Sequence, residues 1–245
     1  MVNNIHSAIL ISGGIVMESY VYDRDKSDKS SLFRFIEQGV FIPCTDGVMI
    51  SPDAKIGKGT VIYPGTIIKE GCEIGTDCAI GPFAVLSEIR VGNGTVLNAV
   101  QAENAVIGNN VTAGPFVHIR PGSFIRDGVK IGNFVEIKNS DIGEKTAVAH
   151  LTYVGDSDVG EGVNFGCGTV TVNFNGKEKN RCKIGDGAFI GCNTNLIAPV
   201  TVGERSYTAA GSTITESVPP DSLAIARARQ VVKAEWVKKK KPYRD

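Results

Sequence analysis

Arg120 and Lys138 stand eighteen residues apart, and each follows an aliphatic residue, Ile119 and Ile137. Downstream come His150, Tyr153, Asn164 and Asn173, with Cys167 and Cys192 in the same region. A histidine near its ordinary pKa can take a proton from an amine at neutral pH. An Arg and a Lys placed together suit a phosphate, for which Arg supplies a planar fork. Tyr and Asn side chains can hold sugar hydroxyls beside such a base. Each feature also has a plainer reading: solvated surface charges, a structural histidine, small packed thiols. Cys167 and Cys192 would permit an acyl-enzyme in principle. The chain has three histidines, and His118 and His150 lie far apart in sequence while His6 is near the N-terminus. No metal site is expected from them.

What must position these residues is a repeat. From Ile56 the sequence falls into six-residue units, each led by an aliphatic residue and often followed by Gly: Ile56-Gly57, Ile62, Ile68, Ile74-Gly75, Ile80-Gly81. The pattern continues through Val91, Ile107, Ile119, Ile125, Ile131, Ile137, Ile142, Val148, Val154 and Val159 to Ile184, Ile190, Val202 and Ile214. A period of six fits neither a 3.6-residue helix nor a two-residue strand alternation. It fits a very short strand followed by a corner, with the aliphatic residue inward and a small residue at the next inward place. Three units close one triangular coil, and coils stack at the sheet spacing of about 4.8 Å. Arg120 and Lys138 then lie one above the other on one face. Like charges so placed repel unless an anion lies between them.

Composition agrees with a thin, regular core. The 245 residues include 29 Gly, aromatic content is 7%, and Lys+Arg and Asp+Glu are both 26. Zero formal charge argues against nucleic acid as a partner. The run Lys238, Lys239, Lys240, Lys241 reads as a solvated tail or as a contact for an anionic ligand. Six cysteines without a CxxC pair read as reduced thiols of a cytoplasmic protein. The apolar stretch 8–17 is too short to span a membrane and no basic residue precedes it. The division expected is an irregular segment 1–48, charged and helical or mobile over 23–34. A β-helix follows over 49–218, with a loop extruded at 173–183, where the hexad is lost. A helix around residues 224–238 and a basic tail complete 219–245.

Longer motifs narrow the function. His118-Ile-Arg-Pro-Gly122, Gly132-Asn-Phe-Val-Glu-Ile-Lys138 and His150-Leu-Thr-Tyr-Val-Gly-Asp156 closely resemble one family. It is the acetyltransferase domain of the bacterial bifunctional glucosamine-1-phosphate acetyltransferase/N-acetylglucosamine-1-phosphate uridylyltransferase. Asn164-Phe-Gly-Cys-Gly-Thr169, Asn173-Phe-Asn-Gly176, Ala198-Pro-Val-Thr-Val-Gly203 and Leu223-Ala-Ile-Ala-Arg227 extend the resemblance from about Gly39 to the basic tail. It implies an all-β, left-handed parallel β-helix; handedness does not follow from the spacing, since parallel crossovers are normally right-handed. It implies His150 as general base and Arg120 and Lys138 at the sugar phosphate. Tyr153 and Asn164 would hold the sugar, and Lys179 would reach a substrate in a neighbouring subunit. Cys167, Asn173, Phe174, Cys192, Ala210 and Arg227 would line an acetyl-CoA site, in a homotrimer with sites between subunits.

The chain also departs from the family. Phe174 and Asn175 stand where Tyr and Asp are frequent, and Cys167 and Cys192 replace Ala or Ser of some members. Only about 48 residues precede the coils, against a nucleotide-binding domain of over two hundred. Residues 8–14 resemble that domain's Gly-rich loop only faintly and read as a strand-turn coincidence. Uridylyl transfer and its magnesium site are therefore not expected, and a separate uridylyltransferase is a possible partner. Two other readings stay open at this point: an acyltransferase for another phosphorylated or nucleotide-linked amino sugar, and a non-catalytic trimeric subunit.

Overall fold

The computed structural model describes residues 30–240. The Gly-rich stretch 8–14, His6 and Lys241 lie outside the described residues. Within them the chain winds into a triangular prism of three parallel sheets, with ten, nine and ten strands. The first face runs from Met49–Ile50 to Thr213–Ile214, the second from Lys55–Ile56 to Val200–Val202, and the third from Val61–Ile62 to Leu223–Ala224.

Every lead aliphatic residue of the hexads points inward. Ile62, Ile68, Ile80, Ile119, Ile137, Ile142, Val148, Val154 and Ile190 have no exposed surface, and the others are also buried. Successive coils set like on like: Ile56 pairs with Ile74, Ile119 with Ile137, Ile137 with Val154. Burying each such side chain contributes about 1.5–3 kcal/mol. The next inward place takes Thr, Cys or Ala, and the threonine hydroxyls are satisfied by carbonyls of the next coil. Thr60 donates to the Gly75 carbonyl at 2.8 Å and Thr146 to that of Gly160 at 2.9 Å. Outside the core, an amide ladder ties the coils. The Thr76, Asn93 and Asn109 N–H groups donate to Asn93, Asn109 and Asp127 at 2.8, 2.8 and 2.7 Å.

At the N-terminal end, where a charged stretch, helical or mobile, is expected over 23–34, Ser30–Glu37 is a helix whose Leu32 and Phe35 join the core and close the first coil. At the other end the expected helix over 224–238 is replaced by a strand, Leu223–Ala224, paired with Tyr207–Thr208. Among the described residues, helix at this end runs only over Trp236–Lys240. Two bonds hold this stretch extended: Thr213 N–H to the Ala226 carbonyl at 3.1 Å, and Ala226 N–H to Ser212 Oγ at 3.1 Å. The sheet edge on offer outweighs the helix propensity of an Ala- and Arg-rich stretch. Among the described residues no helix is long and apolar enough to cross a membrane. All six cysteines are free thiols.

The extruded loop is present, over 173–181, between the strands Val170–Val172 and Cys182–Ile184. It is pinned at both ends. Asn173 bonds the Asp156 carboxylate, and its carbonyl accepts from the Asn180 N–H at 2.7 Å. Arg181 bonds the Asn139 and Ser157 carbonyls at 2.9 and 3.0 Å and pairs with Asp158. At the tip, Asn175 Oδ1 accepts from the Lys177 and Glu178 N–H groups at 2.9 and 3.0 Å. The amide oxygen performs there the capping that an Asp would.

Candidate active site

The first face carries the cations. Because Ile119 pairs with Ile137, Arg120 and Lys138 are stacked neighbours as the spacing requires. Their repulsion is relieved within the chain, which corrects the expectation that an external anion is needed. Arg120 pairs with Glu136 at 2.8 Å, and Lys138 with Asp156 at 3.3 Å. Neither carboxylate was singled out from the sequence. Both were findable: Glu136 lies two residues before Lys138, and Asp156 ends a motif that also holds His150 and Tyr153.

Asp156 is the hub of this face. Its side chain is only 5% exposed, and Asn139, Asn173 and Lys138 all donate to it. Burial alone would raise its pKa, but those donors and the Lys138 charge hold the carboxyl below its usual value. Asn173 also donates to the Tyr153 hydroxyl at 3.3 Å. Tyr153 folds back over Gly155, where a Cβ would run into its ring and hydroxyl. A side chain at 155 would therefore displace Tyr153.

Lys179 completes the cluster. The loop sets its ammonium beside that of Lys138 in the same chain, and this contact and charge hold it below the ordinary lysine pKa. Lys179 makes no ion pair among the described residues. It adds a third cation, while Glu136 and Asp156 are paired with Arg120 and Lys138. Three cationic donors, from two successive coils and a loop, suit a tetrahedral anion.

The corner between the third and first faces carries the second group. Asn133, His150, Cys167, Cys192 and Ala210 each stand immediately before a corner residue with positive φ: Phe134, Leu151, Gly168, Asn193 and Gly211. They form one column up the corner. His150 is exposed, and its Nδ1 lies 3.2 Å from Asn133 Oδ1. Cys167 and Cys192 are exposed, and their backbone N–H groups bond to nothing among the described residues. Arg227 lies beside Gly211, at the end of the column. Two residues, Leu151 and Thr152, and one turn of the corner separate His150 from Tyr153.

Asn164 and Phe174 are not gathered in. Asn164 pairs with Ala147, at the start of the strand that ends in His150. Three residues of extended chain put it roughly 10 Å from the column. Phe174 is exposed on the loop and bridges Lys179 through the backbone. Among the described residues no three His, Cys, Asp or Glu side chains come together as a metal would require.

The bacterial transferase hexapeptide (six repeats) family matches at residues 53–88, 104–139 and 181–216. Bifunctional protein GlmU of Caldicellulosiruptor saccharolyticus is 53% identical over 206 residues, 84% of this chain and 44% of that protein. Three stretches of this chain carry that family's hexapeptide repeats. Bifunctional protein GlmU of a Geobacillus species is 56% identical over 188 residues, 77% of this chain and 41% of the relative. The hexapeptide chain thus spans under half the length of the curated relatives it matches. Its coils are left-handed, as the resemblance implied. Among solved structures, an Arabidopsis UDP-N-acetylglucosamine acyltransferase aligns with a TM-score of 0.46 at 14% identity, covering 79% of this chain and 75% of that one.

Proposed function

We propose that the protein transfers an acetyl group from acetyl-CoA to the amine of glucosamine-1-phosphate. The carrying observation is that one corner separates an exposed imidazole from a three-cation cluster, within a stretch 53% identical to GlmU. The amine nitrogen attacks the thioester carbonyl carbon. The C–N bond forms, the C–S bond breaks, and CoA leaves as the thiol. His150 takes the proton that the amine must lose. Arg120, Lys138 and Lys179 hold the sugar phosphate, with Tyr153 against the ring. The N–H groups of Cys167 and Cys192 face the oxyanion of the tetrahedral intermediate. Cys167, Cys192, Ala210 and Arg227 line the donor groove with Asn173 and Phe174.

The assembly that completes this site is a homotrimer in this reading. Phe83, Phe116, Phe134 and Leu151 climb the same corner, 70, 63, 56 and 60% exposed. Phe116 and Phe134 stack at 5.4 Å, and all four hold positive φ, a conformation that bulky residues avoid. An apolar ladder of this kind, next to the imidazole, suits burial against another copy. Burial there would bring a neighbour's Asn164 or Phe174, left outside the single-chain cluster, to the site. The scattering mass in solution should be three times the 26.0 kDa of one chain.

Free thiol should appear when the protein is given acetyl-CoA with glucosamine-1-phosphate. Glucosamine without the phosphate should be used far more slowly, and a nucleotide-linked amino sugar no better. Equal rates with and without the phosphate would overturn the assignment of the cation cluster.

A further inference from the structure

We infer that Asn133 is a positioning residue for His150: its amide oxygen accepts the Nδ1–H of the imidazole, fixing one tautomer with Nε2 free to take the proton. The inference rests on the reading of His150 as the base. Its geometric part stands on the coil register and the contacts between the two rungs, independently of that reading.

Four observations place the pair. Asn133 and His150 are register partners at the ends of Lys130–Asn133 and Ala147–His150. Asn133 Oδ1 and His150 Nδ1 are 3.2 Å apart. The Asn133 carbonyl accepts from the Leu151 N–H at 3.0 Å, so a second bond ties the same two rungs. Gly132 permits the approach: a Cβ there would collide with the Ala149 carbonyl oxygen. The coil on the other side of His150 presents Cys167, a weak partner by comparison.

The chemistry follows from the donor inventory. A neutral imidazole has one N–H and one lone pair. An exposed ring with no fixed partner would turn about its side-chain torsions and share its population between tautomers. An amide oxygen on Nδ1 sets both orientation and tautomer, as the partners of metal-bound histidines do. Being neutral, the amide achieves this without holding the imidazolium as a carboxylate would, so the proton can pass on to solvent after each turnover.

Three variants and two readouts test it. Asn133→Ala should lower kcat about tenfold, less than the about 10²–10⁴-fold that a general base contributes. The KM values for acetyl-CoA and glucosamine-1-phosphate should change less than about twofold, because uniform binding is untouched. Asn133→Asp should restore kcat and move the acid limb of the kcat/KM profile to higher pH, since a carboxylate favours the charged ring. Asn133→Ser, with a shorter acceptor, should fall between. Nitrogen-15 shifts of His150 at high pH should report Nδ1–H in the native protein and mixed tautomers in Asn133→Ala. A native protein with mixed tautomers, or an Asn133→Ala variant with unchanged kcat, overturns the inference. A fixed tautomer in a protein that transfers no acetyl group would instead sink the proposed function and leave the pair standing.

Discussion

Replacing His150 by Ala is expected to slow acetyl transfer by about 10²–10⁴-fold, the range for losing a general base. The ring is exposed, and among the described residues its one side-chain hydrogen bond goes to Asn133. No core contact is lost and no cavity opens, so stability should stay within about 0.5 kcal/mol of the native value. Initial rates of thiol release report the first expectation and the thermal midpoint reports the second. The defect should narrow as pH rises, because more of the amine is then already deprotonated and needs no base. Undiminished activity in His150→Ala at neutral pH would remove the histidine from the mechanism.

How far the sequence could be read depends on which way a side chain points. The inward residues were legible because the prism admits only aliphatics and small residues there. The nineteen lead positions from Ile56 to Ile214 needed only a period of six with occasional slips, as between Ile80 and Val91 or Ile137 and Ile142. Outward residues were legible only where the coil length is constant. Arg120 and Lys138 sit in a coil of eighteen, so their stacking followed from spacing. His150 and Asn133 sit in a coil of seventeen, and a count of eighteen pairs His150 with Gly132 instead. Asp156 escaped notice for another reason. It is a polar corner residue with φ +48°, a place where Asp is expected for its turn preference alone, and its burial appears only once Lys138, Asn139 and Asn173 close over it. The short strand Leu223–Ala224 was hidden too, because strand formation there depends on an edge supplied by Tyr207–Thr208, not on local propensity.

The same burial difference separates the two stacked cations, and gives a second large effect. Arg120→Ala should raise the KM for glucosamine-1-phosphate by about 10–100-fold, the loss of one charge-assisted hydrogen bond worth about 1.5–3 kcal/mol. Its partner Glu136 is 40% exposed and remains solvated, so stability should fall by less than about 1 kcal/mol. Lys138→Met should weaken the acceptor to a similar degree but also destabilise the fold. It strands Asp156, whose side chain is 5% exposed. The expected loss is about 2–3 kcal/mol, at or below the low end for breaking a buried pair, because Asn139 and Asn173 still donate to the carboxylate. The two effects can be told apart by pH. Asp156 has a lowered folded pKa, so its contribution is full above the unfolded value of about 3.9 and is lost as pH falls through the folded one. Denaturant midpoints of the native protein and Lys138→Met should therefore differ clearly at pH 7 and converge in acid, while Arg120→Ala tracks the native protein throughout. A Lys138→Met variant as stable as Arg120→Ala at pH 7 would mean that the carboxylate is held by its amide donors alone, and that Lys138 is free to serve the phosphate.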